Sequence, residues 1–206
     1  MGVLGHVRWA RETRVTPLMR WLERGIQVDY AAIRGIEASW FNFYTTNVSV
    51  PRVALEDIGG FDEERFPIYY EDLDVGYRLH LRGLRLLYNP RAWAEHLHPQ
   101  TLDQWRRRMS VTAAAEWRWV TLYPEHPAYF HDKLAEAAAR PPARGRGRWL
   151  LRWFGPRFPL IGPRAWGSAD LYYLQQLAPT FLDAWGREAP GQPPSELEGA
   201  GSEVTS

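Results

Sequence analysis

Apolar residues recur at helical spacing in three parts of the chain, and this pattern predicts three helices. The first covers residues 71–81 and ends at Gly83. The second starts near Thr101 and is bounded by Pro124, and the third begins with Ser168 as its N-cap. The three apolar stripes are formed by Leu73, Tyr77 and Leu81, by Leu102, Trp105, Met109, Ala113, Trp117 and Val120, and by Leu171, Leu174, Leu177 and Leu182.

Shorter elements lie between and before these helices. Residues 40–50 are rich in aromatic and β-branched side chains and predict a strand, as do 84–88 and 93–98 on either side of the turn Asn89-Pro90. Residues 51–58 predict a short helix, because Pro suits a first helical position and Gly59 suits the C-terminal cap. Residues 10–25 read as helical or turn-like. Mixed short strands and helices indicate the α/β class.

The composition changes near residue 139 and divides the chain into three parts. Residues 1–138 have the mixed pattern of a packed domain. Residues 139–186 form a basic, aromatic segment followed by an amphipathic helix, with seven Arg and no acid between Arg140 and Trp166. Many Gly and Pro in 140–166 argue against a long regular helix there. Residues 187–206 are rich in Gly, Pro, Glu and Ser, which is typical of a disordered tail.

The composition excludes several classes of site and partner. The chain has 206 residues and no Cys, so disulfides, thiolate metal sites and cysteine nucleophiles are absent. The net charge of +1 gives no general attraction to nucleic acid, which we therefore exclude as a partner. No run approaches the roughly 18 apolar residues of a membrane helix, and residues 1–12 lack the apolar stretch that is typical of a signal peptide. We expect a cytoplasmic protein.

The basic segment 140–166 has three interpretations. Its Arg and aromatic side chains suit peripheral contact with an anionic membrane at the inner face, or contact with the phosphates of a lipid-linked or nucleotide substrate. Alternatively, it is a solvated linker whose aromatic side chains pack back onto the domain. The pattern alone leaves all three open.

The densest group of chemically useful residues lies within 59–99. Glu71, Asp72 and Asp74 fall in the first turn of a predicted helix, where the helix dipole favours ionised carboxylates. An ionised, positioned carboxylate is what a general base needs to take a proton from a hydroxyl. The alternative is that these acids only cap and solubilise the helix. Before them, Gly59-Gly60 allows positive φ, and Phe61 is expected to anchor the loop in the core.

Two further groups of polar residues are candidates for binding. On a strand, His96 and His98 point to the same face and suit a metal or a phosphate, although two His without a third ligand are an incomplete metal site. Their alternative is a half-exposed polar edge. Asn47 and Ser49 lie beside a helix start and suit hydrogen bonds to a sugar or phosphate, or else a turn or cap.

The order of these motifs strongly resembles family 2 glycosyltransferases of the GT-A fold. The resemblance is carried by TTNVSVPRVALEDIGGFDE and then YYEDLDVGYRLHLRGLRLLYNPRAWAEH, and it covers about residues 3–130. Such enzymes typically have an Asn-x-Ser-x-x-Arg segment, a Gly-Gly-Phe-Asp-Glu loop, a Glu-Asp pair, and a later His. The resemblance implies part of a GT-A fold, which is the Rossmann-like α/β fold of nucleotide-diphospho-sugar transferases. A helical extension would follow it at the C-terminus.

The resemblance also implies roles for individual residues. Asp72 would be the general base of an inverting transfer from a nucleotide sugar to an acceptor hydroxyl, and Glu71 would position the acceptor or the base. The acceptor is expected to be a cell-envelope glycan, a glycolipid or a small glycoside. The remaining implied sites are Gly59, Gly60, Phe61 and Asp62 in the acceptor wall, Trp93 stacking on a sugar unless it lies in the core, Asn47 and Ser49 near the donor, and His96, or else His98, at the metal.

One part of the family pattern is missing. Family members hold Mg²⁺ or Mn²⁺ with an Asp-x-Asp motif, but the first 50 residues contain a single Asp, Asp29. The resemblance therefore implies a divalent metal whose Asp-x-Asp ligands this chain lacks. We expect 1–138 to be the C-terminal half of the domain, truncated before Met1 and inactive alone. The alternatives are a non-catalytic scaffold that contacts a partner or a membrane and, less favoured, a metal hydrolase.

Overall fold

The computed structural model describes residues 1–144 and 161–189, with only the backbone described for 161–165. Residues 1–67 and 71–100 form one compact unit, which we call the sheet unit. Residues 68–70, 101–144 and 161–189 belong to a second one, the helical unit. The α/β class expected from the sequence is confirmed by the sheet and helices described below.

A four-stranded mixed sheet forms the centre of the sheet unit, with strand order β2-β4-β1-β3. Strand β1 (Gly2–Trp9) runs parallel to β4 (Leu86–His96), from the pair Gly2 and Leu86 to the pair Trp9 and His96. The two short edge strands, β2 (Glu37–Ala38) and β3 (Val48–Ser49), pair antiparallel with β4 and β1. Both long strands therefore end at the same edge of the sheet.

Strand β4 contains an irregularity where the sequence predicts a turn between two strands. Gly5 is paired with Asn89, but the next residue, His6, is paired with Trp93. The three residues 90–92 thus bulge out of one continuous strand, and Pro90 has no N–H to give to a ladder. The predicted pair of separate strands is corrected to a single strand with a bulge.

The Asn47 side chain fills the gap that this bulge leaves. Its Nδ2 donates hydrogen bonds to the carbonyls of His6, at 3.1 Å, and Ala92, at 3.0 Å. A Cβ on Gly5 would lie 2.2 Å from the same nitrogen. The amide of Asn47 therefore replaces a missing piece of the ladder, and glycine at position 5 leaves room for it.

Three helices complete the sheet unit: α1 (Pro17–Leu22), α2 (Arg52–Asp57) and α3 (Glu71–Leu81). The bounds of α3 agree with the prediction. A Cβ on Gly76 would lie 2.7 Å from the Trp40 carbonyl oxygen, so α3 packs directly against the segment that contains Trp40. The core between sheet and α3 is made of Leu4, Tyr30, Ala38, Phe43, Val75, Leu79 and Leu86.

The prediction of a strand over residues 40–50 is wrong for most of its length. The segment forms two 3₁₀ turns, Trp40–Asn42 and Thr45–Asn47, and only the two residues of β3 pair with β1. Phe43, which directly follows the first turn, is buried in the core, whereas Phe41 within that turn is 44% exposed. The Ser39 hydroxyl accepts the Phe41 N–H and starts the first turn.

The helical unit contains α4 (Leu102–Leu122), α5 (Tyr129–Ala139) and α6 (Ile161–Glu188). Helix α4 begins as predicted, with Thr101 and Gln104 forming a reciprocal capping box. The prediction of Ser168 as an N-cap is wrong, because α6 already begins at Ile161 and Ser168 lies within it. Proline is tolerated in the first turn of a helix, so Pro163 does not prevent this earlier start.

Parts of the expected C-terminal segments lie outside the described residues. This applies to 145–160 of the basic segment and to 190–206 of the expected tail, whereas Arg187 and Glu188 form the end of α6. Among the residues that the structure does describe, no helix is long and apolar enough to cross a membrane.

Candidate active site

Glu71 and Asp72 begin helix α3, as the sequence predicts. The Leu73 N–H donates to Asp72 Oδ1 at 2.9 Å, and the Thr45 backbone N–H also reaches this carboxylate. Burial, together with the neighbouring charge of Glu71, raises the pKa of Asp72 to about 6, although hydrogen bonds from backbone N–H groups oppose the rise. Asp72 is thus a carboxylate that exchanges protons close to neutral pH.

Glu71 has an unsatisfied oxygen beside the Asp72 carboxylate. Its Oε2 atom is buried and has no hydrogen-bond partner among the described residues. A buried carboxylate oxygen without a partner is costly, and such atoms in native proteins occur where a ligand or water completes the bonding. Glu71 therefore has a free acceptor position for a hydroxyl.

The two residues before Glu71 have a strained backbone. Tyr69 and Tyr70 have φ angles of 59° and 65°, in the left-handed region that ordinary residues avoid. The Tyr70 hydroxyl donates to Glu116 Oε1 at 2.5 Å, and the Arg108 guanidinium lies 5.0 Å from the centre of the Tyr69 ring. Strain of this kind costs about 1–3 kcal/mol per residue and is concentrated at functional sites. Sequence reasoning missed it, because the contacts that hold it come from the distant helix α4.

The structure agrees with the expectation for Gly59 and Gly60 but not with the expectation for Phe61. Both glycines have positive φ, at 79° and 73°. The expectation that Phe61 anchors the loop is wrong, since its side chain is 42% exposed and Phe66 is the buried residue instead. Asp62 Oδ1 accepts the Arg65 N–H at 3.0 Å and stabilises the turn that buries Phe66. Phe61 is consequently available on the surface beside the glycines.

A cleft opens where β1 and β4 end. Its polar and aromatic lining consists of Arg8, Trp9, Glu23, Gln27, Thr46 and His96. Ligands of α/β proteins bind at the carboxyl ends of parallel strands, and this cleft has that position. Burial raises the pKa of Glu23, with the charge of Arg20 opposing it. Sequence reasoning missed Glu23 and Gln27, because they lie in a segment without a motif.

The two histidines do not form a metal site by themselves. The rings of His96 and His98 lie 6.0 Å apart, and only His96 lines the cleft. No three His, Asp or Glu side chains come together to hold a metal ion in the described ranges 1–144 and 166–189. A hard divalent cation needs several oxygen ligands, so these residues do not fit one without ligands from elsewhere. The metal-binding role of His96 stays a prediction.

Trp93 is on the surface rather than in the core. Its side chain is 52% exposed, and the Arg8 guanidinium lies 3.6 Å from the ring centre. Arg8 also pairs with Glu95 at 3.0 Å. One face of the indole is therefore occupied, and any sugar would stack on the other face.

The structure separates the two residues expected near the donor. Asn47 uses its amide on the bulge, whereas Ser49 is paired with Val3 near the beginning of β1. His96 is paired with Trp9 at the end of β1, about 20 Å further along the strand. Their donor-binding roles stay predictions, and Thr46 is the member of this segment that reaches the cleft.

Comparison with known proteins identifies the family. Residues 19–139 match the model of glycosyl transferase family group 2, which is more than half of the chain. The chain belongs to this family. The predicted partial GT-A-like α/β fold is thereby confirmed, with its mixed sheet and flanking helices. No solved structure matches the chain.

Two curated relatives share a short stretch with this family member. Both are named validoxylamine A glucosyltransferase, from Streptomyces hygroscopicus subsp. jinggangensis and subsp. limoneus. Each is 38% identical over 63 residues, which is 30% of this chain. The match spans 15% of the first relative and 14% of the second.

Proposed function

We propose that the chain takes part in an inverting glycosyl transfer, in which Asp72 is the general base for an acceptor hydroxyl. The observation that carries this proposal is the pair at the start of α3. Asp72 is partly buried, with a pKa raised to about 6, and Glu71 beside it has a buried oxygen without a partner among the described residues. A base that is near its pKa at working pH, next to an open hydrogen-bond acceptor, suits the activation of a sugar hydroxyl.

The reaction follows from these positions. The acceptor hydroxyl gives its proton to an Asp72 carboxylate oxygen, and the hydroxyl oxygen attacks the anomeric carbon of the nucleotide sugar. The bond from that carbon to the diphosphate oxygen breaks on the opposite side, and the diphosphate leaves with the electron pair. Glu71 Oε2 accepts a hydrogen bond from a second hydroxyl and orients the acceptor. The exposed Phe61 and the glycines before it form one wall of the acceptor site.

The cleft at the end of β1 and β4 is proposed for the transferred sugar. Thr45 donates its N–H to Asp72, and the next residue, Thr46, lines the cleft with His96. Two adjacent residues, Thr45 and Thr46, therefore contact the proposed base and the cleft. The side chains of Glu23 and Gln27 provide acceptors and donors for sugar hydroxyls there. A divalent metal would neutralise the leaving diphosphate, with His96 as one proposed ligand.

The relatives narrow the proposed substrates. Because both are named glucosyltransferases of validoxylamine A, we propose a nucleotide-activated glucose as donor and a small polyhydroxylated glycoside-like acceptor. A cell-envelope glycan or a glycolipid is the alternative acceptor class. Peripheral membrane contact through residues 140–166 would favour the glycolipid.

The test compares Asp72→Asn with Asp57→Asn, since Asp57 is an exposed acid on α2. A nucleoside-diphosphate glucose and validoxylamine A are supplied to the chain alone and to the chain fused to a nucleotide-binding half of a family member. We expect Asp72→Asn to lower the transfer rate about 10²- to 10⁴-fold and Asp57→Asn to leave it unchanged. Proton NMR of the product should show inversion at the anomeric carbon.

Three outcomes would count against the proposal. A transfer rate for Asp72→Asn near that of the wild type would remove Asp72 as the base. A retained anomeric configuration would exclude the inverting mechanism. Binding of the acceptor by the wild type without any transfer in either form would favour a scaffold or binding module.

A further inference from the structure

We propose that Arg78 is a positioning residue for this reaction, because its guanidinium ties the Gly59-Gly60 loop to the helix that carries Glu71 and Asp72. The inference rests on the proposed function in one respect, namely that the loop faces the acceptor. The contacts that carry it are independent of that function and lie entirely within the sheet unit.

The guanidinium of Arg78 makes hydrogen bonds in two directions. Toward the loop, Nη1 donates to the Ile58 carbonyl at 2.6 Å and Nη2 donates to the Gly60 carbonyl at 2.8 Å. Toward its own helix, Nε and Nη2 donate to Asp74 Oδ2 at 2.8 and 2.5 Å. One planar group thus joins two loop carbonyls to a carboxylate one turn earlier on α3.

Asp74 fixes the direction of the guanidinium. Its side chain is 2% exposed, and that of Arg78 is 22% exposed, so the pair is largely shielded from water. A buried carboxylate needs a partner of opposite charge, and Arg satisfies it with a rigid fork of N–H groups. The remaining N–H groups of that fork are then aimed at the loop. Asp74 therefore has a structural role that differs from those of Glu71 and Asp72.

Among the described residues, the backbone N–H groups of the two glycines bond to α2. Gly59 N–H donates to the Glu56 carbonyl and Gly60 N–H to the Leu55 carbonyl, both at 2.9 Å. These bonds close the C-terminus of α2 but do not reach α3. Both glycines have positive φ with no neighbouring atom within 4 Å of an added Cβ, so close packing does not fix them. The bonds from Arg78 are consequently hydrogen bonds that join the loop directly to α3.

The orientation matters because the two sides of the acceptor site lie on different elements. Glu71 and Asp72 are on α3, whereas Phe61 follows the glycines on the loop. A misplacement of about 1 Å between a substrate and a catalytic group costs up to about 100-fold in rate. The tie through Arg78 holds the acceptor wall at a fixed distance from the base without touching the substrate itself.

The decisive variant is Arg78→Lys, with Arg52→Lys as the matched control. Lysine keeps the positive charge beside Asp74, but a single ammonium cannot serve Asp74 and both loop carbonyls in the geometry of a guanidinium. Arg52 also pairs with an acid four residues away, Glu56 at 2.7 Å, but its side chain is 90% exposed and contacts no loop carbonyl. Both substitutions therefore remove an Arg from an i,i+4 pair on a helix.

Two measurements on the 206-residue chain test whether Arg78 holds the Gly59-Gly60 loop in place. Amide hydrogen exchange should become about tenfold faster at Gly59, Gly60 and Phe61 in Arg78→Lys and stay unchanged in Arg52→Lys. Saturation-transfer NMR with validoxylamine A should show acceptor binding weakened about tenfold in Arg78→Lys, with a melting temperature close to that of the wild type. If Arg78→Lys does not fold, the double variant Asp74→Asn/Arg78→Gln removes both charges and is measured in the same way.

The outcomes separate the inference from the proposed function. Unchanged exchange at 59–61 in the Arg78 variant would overturn the tie. Faster exchange with unchanged acceptor binding would leave Arg78 as a structural residue and overturn its positioning role. Faster exchange in the variant with no binding of validoxylamine A even by the wild type would support the tie and count against the proposed acceptor.

Discussion

The sheet unit contains a partly buried carboxylate, Asp72, and the helical unit a fully buried one, Glu116; the pKa of each is raised, and the two are bonded differently. Burial raises the pKa of Glu116 to about 7 and that of Asp72 to about 6. Glu116 is 0% exposed and accepts the Tyr70 hydroxyl at 2.5 Å and the N–H groups of Phe130 and His131 at 2.7 and 2.8 Å. The latter two residues lie in the first turn of α5, so Glu116 caps that helix from α4.

Asp72 is partly rather than fully buried, and a second acid lies beside it. It receives backbone N–H groups, but the charge of Glu71 lies beside it and Glu71 Oε2 is unpartnered among the described residues. A buried acid with a full set of donors holds helices together, as Glu116 does. A crowded pair of acids with an open position costs stability and is kept where a ligand completes it. The difference in bonding, rather than the raised pKa, distinguishes the site.

The largest expected effect is on the stability of the helical unit. Replacement of Glu116 by Ala leaves the Tyr70 hydroxyl and two backbone N–H groups without their acceptor. We expect a loss of about 3 kcal/mol in the free energy of unfolding and a fall of roughly 10 °C in melting temperature. Glu136→Ala is the control, because Glu136 is an exposed acid on α5 that pairs with Arg140 at the C-terminal end of the same helix. If Glu116→Ala lowered the melting temperature no more than Glu136→Ala, Glu116 would contribute no more to stability than an exposed acid. The contrast between Glu116 and Asp72 would then be wrong.

The pH dependence of the transfer rate tests whether Asp72 is the general base. A general base must be ionised, so the transfer rate should fall about tenfold for each pH unit below about 6 and level off above it. Rates are measured from pH 4.5 to 8, with circular dichroism to confirm that the chain stays folded. A rate that is flat across pH 6 would assign the proton transfer to another group.

The effect of Asp72→Asn on stability should increase with pH. The unfolded Asp72 loses its proton near pH 3.8 and the folded one near pH 6, so the ionised side chain destabilises the fold above that window. We expect Asn to stabilise the chain by about 2 kcal/mol at pH 8 and to have little effect at pH 4. Denaturant unfolding at both pH values measures this. Destabilisation at pH 8 would indicate that Asp72 is a structural acid like Glu116.

The smallest effect should come from an exposed ion pair. Arg85 and Glu37 lie 2.9 Å apart at the sheet edge, but their side chains are 63% and 51% exposed. Water screens such a pair, so Arg85→Gln should change the melting temperature by less than about 2 °C. A large change would show that charge matters equally at exposed and buried positions, against the comparison above.

The sequence predicted the elements whose signals are local. Gly83 ends α3, the predicted start near Thr101 agrees with α4, and the acids at 71 and 72 lie in the first turn of α3. The predicted apolar stripe of α3 was only partly right, since Leu81 is 63% exposed and Val75 and Leu79 are buried instead. The 3₁₀ turns of 40–47 were missed, because aromatic residues favour burial in turns as well as in strands. The burial of Glu116 could have been predicted, since this acid lies on the apolar stripe of α4 between Ala113 and Val120.

The remaining features depend on contacts between distant residues. The left-handed tyrosines at 69 and 70 are held by side chains of α4, about 40 residues later in the chain. The cleft at the ends of β1 and β4 brings Glu23 and Gln27 to His96, which no spacing in the sequence indicates. Such features appear only once the fold has been assembled.

The Asn47 amide beneath the bulge of β4 has a consequence for how the chain can change over time. Any side chain at position 5 would occupy the space of the Asn47 amide, and any residue without that amide would leave two carbonyls of the sheet unbonded. We therefore expect positions 5 and 47 to change together. In a collection of homologous sequences, glycine at the first should accompany asparagine at the second, and both should be replaced together wherever the bulge is lost.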